Sequence, residues 1–259
     1  MKTRLNKFLS QSGLGSRRAV EEMITSGRIA INGNKVTSLG TLVDDADRVT
    51  LDGLPVRPFE QRYYLILHKP RGYITTVSDD RDRPTVMDLV PEKYRRSGVF
   101  PVGRLDRDTS GLLLLTNDGD LAYRLTNPRF HIAKEYIAEI DRPLDETDIM
   151  KIRKGMYLPQ LELKTRPAQA ECVDESRLTV RVVLTEGKNR QIRYTFQNLG
   201  YRIRSLERIS YGTLSLKRLK KGALRHLTDA EVRMLKKSAG MQHPRTPGAG
   251  GQGFSREAR

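Results

Sequence analysis

Apolar residues recur at helical spacing in two short stretches near the start of the chain. The first stretch predicts a helix that is capped by Thr3 and ends near Ser12-Gly13. The second predicts a helix over 17–26, with Ser16 as its N-cap and Gly27 just after its end. The apolar faces of the two helices consist of Leu5, Phe8, Leu9, Val20, Met23 and Ile24. Each helix therefore buries one side against the rest of a small domain.

Turn-forming residues predict a small sheet after these helices. Asn32-Gly33 follows the apolar run 28–31, and this dipeptide tolerates the positive φ angles of a type I′ hairpin turn. A further strand is expected over 48–51. We therefore assign residues 1–58 to a small α/β domain, which ends in a linker over 55–59 that two prolines stiffen.

Strand patterns dominate residues 62–240, which we assign to a second, larger domain. A continuous apolar run such as 112–116 is typical of a fully buried strand, and period-two alternation is typical of a half-buried one. Strands are expected at 64–68, 73–77, 112–116, 134–140 and 178–184. Helices are expected at 120–125, 145–154 and 190–199. This mixed order predicts an α+β fold with a mostly antiparallel sheet flanked by helices and loops.

The end of the larger domain carries a helix-start signal of its own. Thr228 and Glu231 form a capping box, and Leu227 with Val232 can staple the start of the helix. Beyond it, residues 241–259 are rich in Pro and Gly and show no periodicity. We expect this tail to be disordered.

Composition narrows the possible classes of protein. The 259 residues carry 47 Lys+Arg against 31 Asp+Glu, a net charge of +16 at pH 7. Such an excess indicates a polyanionic partner, nucleic acid before an anionic membrane surface. The chain lacks the roughly 18 consecutive apolar residues of a membrane-spanning helix, and its N-terminus lacks the apolar core of a secretory signal.

Few residues offer metal, redox or nucleotide chemistry. Cys172 is the single cysteine, which excludes an internal disulfide and fits a reducing cytoplasm. Gly187-Lys188 is followed by Asn, so the phosphate-binding P-loop pattern is missing. The histidines are scattered without ligand spacing, at His68, His131, His226 and His243. We therefore expect neither a metal site nor a nucleotide cofactor.

Positive charge is concentrated between residues 187 and 225, where eleven Lys or Arg residues accompany a single acid, Glu207. Lys188, Arg190 and Arg193 fall at the start of the helix predicted over 190–199. A block of one sign is more often an electrostatic footprint than a solvated face, which normally mixes signs. The interleaved tyrosines could stack on unpaired bases or belong to the core of a sheet, and they are Tyr194, Tyr201 and Tyr211.

Arg17 and Arg18 occupy the first turn of the second predicted helix. The helix dipole favours acids at this position, so two arginines are locally unfavourable unless a phosphate binds there. We expect both to contact RNA. The alternative is that both side chains point into solvent at small cost.

A charged loop precedes the apolar strand at 112–116. It reads Gly103-Arg-Leu-Asp-Arg-Asp-Thr-Ser-Gly111, with Asp106 and Asp108 two residues apart. A salt-bridged surface loop and paired-carboxylate chemistry of the glycosidase type are both compatible with these residues. Fixed arginines repel a dication, which argues against a metal. Flanking arginines also keep a carboxylate ionised, which suits a nucleophile or an anionic base.

Several ordered motifs resemble one family of enzymes. The segment Gly103 to Gly119 resembles the catalytic motif of the RsuA/RluB/RluE/RluF family of ribosomal RNA pseudouridine synthases. Residues 1–58 are similar to the alpha-L RNA-binding domain shared with a small-subunit ribosomal protein, the ribosomal S-four-type domain. Three further family motifs match Lys69-Pro70-Arg71-Gly72, Lys134-Glu135-Tyr136 and the stretch Glu186 to Arg193. Together these motifs are far more specific than any one alone, and they make the surface-loop alternative improbable.

The resemblance implies a role for individual residues. Asp106 matches the nucleophile that attacks the target uridine, and Tyr136 matches the tyrosine that stacks on the flipped base. Arg193 matches the basic residue that pairs with the aspartate. Leu206 and Arg104 match residues of the base pocket, and Lys188 and Arg190 are expected to contact RNA. No metal, nucleotide or redox cofactor is implied.

The sequence therefore predicts a cytoplasmic, monomeric enzyme that converts a uridine of ribosomal RNA, or of a pre-ribosomal particle, to pseudouridine. The motifs resemble those of the RluB and RluF branches most, which favours large-subunit RNA as the substrate. Many family members carry basic residues where this chain has Tyr194-Thr195-Phe196, so the resemblance does not specify which uridine is modified. Two alternatives belong to other classes: a non-catalytic RNA-binding or ribosome-assembly protein, and a glycoside- or nucleoside-hydrolysing enzyme.

Overall fold

The computed structural model describes residues 2–241. Its first unit consists of short helices and strands. Residues 242–259, nearly all of the predicted tail, lie outside the described residues. The elements of the first unit are α1 (Leu5–Gln11), α2 (Arg17–Thr25), β1 (Thr3–Arg4), β2 (Ile29–Ile31), β3 (Asn34–Val36), β4 (Leu42–Val43), β5 (Val49–Leu51) and β6 (Leu54–Pro55). The two helices pack on these strands around a core of Leu5, Leu9, Val20, Ile24, Ile29, Val43 and Val49.

Three of the predicted local signals are confirmed and one is wrong. The Ser16 hydroxyl caps α2 by accepting from the Ala19 amide at 3.2 Å, and Gly27 ends it with a φ of 69°. Asn32 and Gly33 take positive φ angles in the hairpin turn. Thr3 does not cap α1, because it lies in β1 and pairs with β4. The helix begins after Arg4 without a side-chain cap.

The second unit contains the remaining helices and strands. The helices are α3 (Glu92–Arg96), α4 (Gly119–Thr126), α5 (Glu146–Lys154), α6 (Gln191–Asn198) and α7 (Asp229–Ser238). The longer strands are β7 (Tyr64–Lys69), β9 (Ser110–Thr116), β10 (Lys134–Ile140), β13 (Gln169–Cys172), β14 (Thr179–Leu184) and β15 (Ile203–Tyr211). The shorter ones are β8 (Phe100–Pro101), β11 (Tyr157–Leu158), β12 (Leu163–Lys164), β16 (Leu214–Ser215) and β17 (Leu224–His226). The predicted capping box of α7 is confirmed, with the Thr228 hydroxyl accepting from the Glu231 amide at 3.2 Å.

A mixed sheet forms the centre of the larger unit, in the strand order β13-β14-β10-β15-β9-β7-β17. The neighbouring strands pair antiparallel except β9 and β15, which run parallel. The predicted α+β class is therefore confirmed. Leu112 to Leu115 of β9 are fully buried, as the continuous apolar run indicates.

The strand predicted over 73–77 is wrong. In this segment only Ile74 makes a β-bridge, to Thr85. The Thr75 hydroxyl instead donates to the Leu105 carbonyl at 2.8 Å and accepts from the Leu105 amide at 3.2 Å. Side-chain bonding to the loop before β9 thus replaces strand pairing, which an alternating pattern does not reveal.

Contacts between the two units involve both charge and packing. The Lys7 ammonium lies 2.8 Å from the Asp120 carboxylate in α4. The Phe59 ring lies directly against Gly13 of the first unit and Gly98 of the second, where a β-carbon at Gly13 would come within 2.6 Å of the ring. The residue range 2–241 holds no helix of the length and apolarity that crossing a membrane requires.

Candidate active site

The charged loop predicted from the sequence opens into a cleft of the larger unit. The cleft has a volume of about 300 Å³ and lies beside the central sheet. Its walls come from the loop before β9, from β10, from β15 and from the segment that leads into α6. The lining residues that carry polar or aromatic groups are Arg104, Asp106, Thr109, Thr126, Tyr136, Glu186, Lys188, Asn189, Arg190, Gln191 and Arg193.

The structure brings together seven of the nine residues singled out in the sequence. These are Arg104, Asp106, Tyr136, Lys188, Arg190, Arg193 and Leu206, which all line the cleft. Tyr136 and Leu206 reach it from adjacent antiparallel strands, because Tyr136 pairs with Arg208 and Ala138 pairs with Leu206. Arg17 and Arg18 do not line the cleft. They are exposed in the first turn of α2.

Two guanidinium groups face the carboxylate of Asp106. Arg190 Nη1 and Arg193 Nε each lie 3.9 Å from Asp106 Oδ2. Among residues 2–241, no hydrogen bond is donated to this carboxylate, and the Asp106 side chain keeps 32% of its exposure. An ionised oxygen that is close to positive charge but free of hydrogen bonds can attack an electrophile.

Arg193 spans the space between the loop and α6. Its Nη2 donates to the Asp108 carbonyl at 3.1 Å and to the Thr109 hydroxyl at 3.3 Å, while its buried Nε has no hydrogen-bond partner in the described chain. Burial lowers the pKa of Arg193, the nearby Arg190 adds to this effect, and Asp106 opposes it. Arg193 Nε thus lies 3.9 Å from Asp106 Oδ2 without a hydrogen-bond partner in the described chain. This N–H can donate a hydrogen bond when the charge on the aspartate or on the substrate changes.

Sequence reasoning missed the part played by Lys69, whose side chain is completely buried at the end of β7. Its ammonium donates to main-chain carbonyls of the charged loop, at 3.1 Å to Asp106, 3.3 Å to Arg107 and 2.8 Å to Thr109. Burial lowers the pKa of Lys69 to about 8, and Asp106 and Asp108 partly offset this effect. Lys69 therefore holds the loop by its backbone. The signal was present in the sequence as a lysine that closes an apolar strand.

A buried carboxylate and amide organise the loop that leads into α6. Glu186 Oε1 accepts from Gln191 Nε2 at 2.7 Å and from the Arg166 amide at 2.9 Å. Gln191 Oε1 in turn accepts from the Lys188 amide at 3.2 Å. Arg190 takes a left-handed conformation, with a φ of 50°, just before the helix. These bonds fix the segment that carries Lys188 and Arg190 over the cleft.

Two of the three interleaved tyrosines lie in the core of the larger unit. Tyr201 and Tyr211 keep 4% and 1% of their exposure, so the stacking role considered for them is wrong. Tyr201 donates to Asp148 Oδ2 at 3.0 Å and Tyr211 to the Leu125 carbonyl at 2.8 Å. Burial raises the pKa of Tyr211 to about 12, which keeps it a neutral donor. The aromatic ring available in the cleft is that of Tyr136.

The charges of the loop do not neutralise one another as in a surface salt-bridge network. Arg107 donates to the Gly72 carbonyl at 3.2 Å rather than to an acid, and Asp106 faces the cleft. Across residues 2–241, His, Cys, Asp and Glu side chains nowhere gather in a group of three that could hold a metal ion. The geometry is that of a carboxylate in a basic cleft with a tyrosine in its wall.

Comparison with known proteins identifies this arrangement. Residues 63–198, more than half of the chain, match the RNA pseudouridylate synthase family. The chain belongs to this family. Residues 3–49 match the S4 domain. The pairing of this RNA-binding domain with a pseudouridine synthase domain is that of the RsuA/RluB/RluE/RluF family, as the motifs predicted.

Individual relatives of this pseudouridine synthase cover nearly the whole chain. The ribosomal large subunit pseudouridine synthase B of Bacillus subtilis is 40% identical over 237 residues, which are 90% of this chain and 95% of that protein. An uncharacterized RNA pseudouridine synthase of Aquifex aeolicus is 37% identical over 94% of this chain and 97% of its own. A crystal structure of a pseudouridylate synthase superposes with a TM-score of 0.66 and 29% identity, over 90% of this chain and 99% of that one. The protein is thus an isomerase, and the non-catalytic and hydrolytic alternatives are set aside.

Proposed function

We propose that this enzyme isomerises a specific uridine of large-subunit ribosomal RNA, with Asp106 as its nucleophile. The observation that carries the proposal is the Asp106 carboxylate, which receives no hydrogen bond in the described chain and faces Arg190 and Arg193 at 3.9 Å. It lies in a cleft of about 300 Å³, a size suited to one extruded nucleotide.

The cleft residues suit the successive demands of the isomerisation. A uridine leaves its stack and lies against Tyr136, which replaces part of the lost base stacking. An Asp106 oxygen attacks the nucleotide, on the ribose or on the ring, and the N1–C1′ bond breaks. The base turns, C5 bonds to C1′ and the bond to the Asp106 oxygen breaks, which frees the carboxylate. The C5 proton then leaves and N1 gains a proton. The product is an isomer of the substrate, so the overall reaction needs no oxidant or reductant, and none of the proposed steps uses a metal or cofactor.

Two residues carry out the supporting steps in this proposal. Arg193 holds the carboxylate and stabilises charge as it moves between Asp106 and the base. Tyr136 accepts the C5 proton directly or through a water molecule. Arg104 and Leu206 line the pocket, and Lys188 and Arg190 hold the phosphates that flank the extruded nucleotide.

The substrate assignment is supported by similarity and by charge. A relative that is 40% identical over 90% of this chain is named a ribosomal large subunit pseudouridine synthase. Exposed cations surround the cleft, and Arg17 and Arg18 add exposed positive charge on the S4 domain. A monomer acting in the cytoplasm on ribosomal RNA or a pre-ribosomal particle completes the proposal, and the single cysteine of the chain fits that compartment.

The test measures tritium release from transcripts labelled at C5 of uridine. We expect release from a large-subunit transcript and none from a small-subunit transcript, with the site mapped by sequencing. Asp106→Ala is expected to abolish release, whereas Asp108→Asn, whose side chain does not line the cleft, is expected to retain measurable activity. Release undiminished by Asp106→Ala overturns the nucleophile, and release from small-subunit RNA alone overturns the substrate.

A further inference from the structure

A dense group of positive charge lies in the turn between β16 and β17, which we call the basic turn and define as residues 217–221. It reads Lys-Arg-Leu-Lys-Lys, and its four cationic side chains are exposed. Lys217 lies 3.8 Å from Glu231, whose carboxylate Arg225 already binds at 2.8 Å. Within residues 2–241, Arg218, Lys220 and Lys221 form no ion pair. Like charges this close repel one another, and a bound polyanion removes that cost.

Hydrogen bonds to His68 hold the backbone of the basic turn in place. His68 Nδ1 donates to the Leu219 carbonyl at 2.8 Å, and the Gly222 amide donates to the His68 carbonyl at 2.8 Å. The Leu219 side chain packs on the core beside the buried Leu216. The cations therefore project from an ordered support, so less conformational entropy is lost when they bind.

His68, which holds the turn, is also linked to the strand that follows the charged loop. His68 Nε2 lies 2.9 Å from Glu207 Oε1, within hydrogen-bond distance. Glu207 Oε1 also accepts from the Ser110 hydroxyl at 3.2 Å, at the first residue of β9. The basic turn and β9 are thus joined through two side chains.

Two consecutive residues of β7 hold the basic turn and the charged loop. His68 binds the turn, and Lys69 binds the carbonyls of Asp106 and Thr109. Both features consequently lie at the same end of β7. An RNA that delivers a nucleotide to Asp106 passes this end of the sheet.

We infer that the basic turn is a second phosphate-binding surface, which holds the backbone of the substrate RNA beside the target nucleotide. The inference rests on the proposed function, since it takes RNA as the substrate. The cations of the turn act on binding and leave the chemical step to the cleft. RNA is favoured over an acidic protein because regularly spaced phosphates match four cations on a fixed turn.

The experiment replaces all four cations of the turn by Gln and measures RNA affinity against salt concentration, with a large-subunit transcript as the probe. A matched control replaces four exposed cations that are scattered over other elements, namely Lys154, Lys164, Arg202 and Lys237. Each lost phosphate contact flattens the slope of log affinity against log salt by about 0.7–0.9. We expect a loss of about 2.8–3.6 for the turn variant and little change for the control, whose net charge is equal.

The kinetic readout separates binding from chemistry. At saturating RNA the turn variant is expected to keep kcat within about twofold of the wild type, while KM rises at least about tenfold. Equal salt slopes for the two variants overturn the inference and leave an acidic protein as the partner to test. Affinity is measured without turnover, so a wild-type enzyme that releases no tritium defeats the proposed function while the binding result still decides the inference.

Discussion

Arg190 and Arg193 lie at the same distance from the Asp106 carboxylate but differ in burial, and this difference decides which of them interacts with it more strongly. Both Arg190 and Arg193 lie 3.9 Å from Asp106 Oδ2, but their side chains keep 43% and 16% of their exposure. Water screens the more exposed charge, so the interaction with the buried one is stronger. Arg193 therefore has the larger influence on the Asp106 carboxylate.

We expect Arg193→Met to lower kcat by about 100-fold or more and to change RNA affinity only slightly, because a positioned cation acts mainly in the transition state. The comparison is Arg190→Asn, since Asn tolerates the left-handed conformation found at this position. Its kcat is expected to fall less. Single-turnover kinetics with separate binding measurements check both, and a loss of affinity with an unchanged kcat in the Arg193 variant contradicts the assignment.

Lys69 gives the reaction a pH dependence of its own. Its pKa is lowered to about 8 by burial, so the side chain is an ammonium below that pH and a neutral amine above it. The neutral amine has one hydrogen fewer to donate to the loop carbonyls. We expect kcat to fall as the pH rises through about 8, and Lys69→Met to be slow without this decline.

Lys134 is the control for this assignment, because burial together with Arg208 lowers its pKa to about 8 as well. Lys134→Met is expected to keep the alkaline decline of the wild type. A decline that survives in Lys69→Met and disappears in Lys134→Met contradicts the role given to Lys69. The measurement is kcat across the range from neutral to alkaline pH.

At the scale of elements, the start of α6 depends on a buried pair of polar side chains. Gln191 and Glu186 keep 4% and 5% of their exposure, and the amide donates to the carboxylate at 2.7 Å. Gln191→Glu places two carboxylates against each other, so we expect kcat to fall about 10- to 100-fold, the effect of losing a buried hydrogen bond and adding repulsion. RNA affinity is expected to change less.

Asn198→Asp supplies the matched control, because it makes the same amide-to-acid change at the other end of α6. Asn198 exchanges amide hydrogen bonds with Gln160 at 3.0 and 3.1 Å, but both residues are exposed. Adding Glu186→Gln to the Gln191→Glu variant restores a donor opposite an acceptor and is expected to recover activity. Thermal unfolding measured alongside identifies variants that fail to fold, and an inactive double variant that folds normally argues against the role given to the hydrogen bond between Gln191 and Glu186.

The elements that follow from local signals could be predicted, and those set by tertiary contacts could not. The run at 112–116, the Asn32-Gly33 turn and the cap at Ser16 each specify their structure within a few residues. Thr75 instead bonds to Leu105, thirty positions along the chain. For Tyr201 and Tyr211 the sequence left stacking and core placement open, because exposure cannot be read from a charged neighbourhood alone, and the structure places both in the core.

The candidate site was predicted as a set of residues, but its support was not. Motifs located Asp106, Tyr136 and Arg193, and the structure places them in one cleft. Lys69 acts on carbonyl groups, which every residue possesses, so no pattern of side chains indicates its partners. Glu186 and Gln191 were visible only as letters of a motif.

At the scale of the whole molecule, positive charge lies on two units that meet through Lys7 and Asp120. We expect Arg17→Gln with Arg18→Gln to flatten the salt dependence of RNA binding by about 1.4–1.8, because each lost phosphate contact contributes about 0.7–0.9. Lys35→Gln with Arg57→Gln removes two exposed cations from the same part of the chain and serves as the control. Identical slopes for the two double variants mean that the first turn of α2 does not touch RNA.

The parallel pair of strands at the middle of the sheet has a mechanical consequence. β9 and β15 share only two residue pairs, Glu207 with Ser110 and Arg208 with Gly111, whereas β7 and β9 share six. A β-carbon at Gly111 would lie 2.3 Å from the Arg208 carbonyl oxygen, so the strands meet backbone against backbone. Few main-chain pairs therefore join the two halves of the sheet at this junction. We expect hydrogen exchange to show the amides of this parallel pair opening before those of β7 and β10.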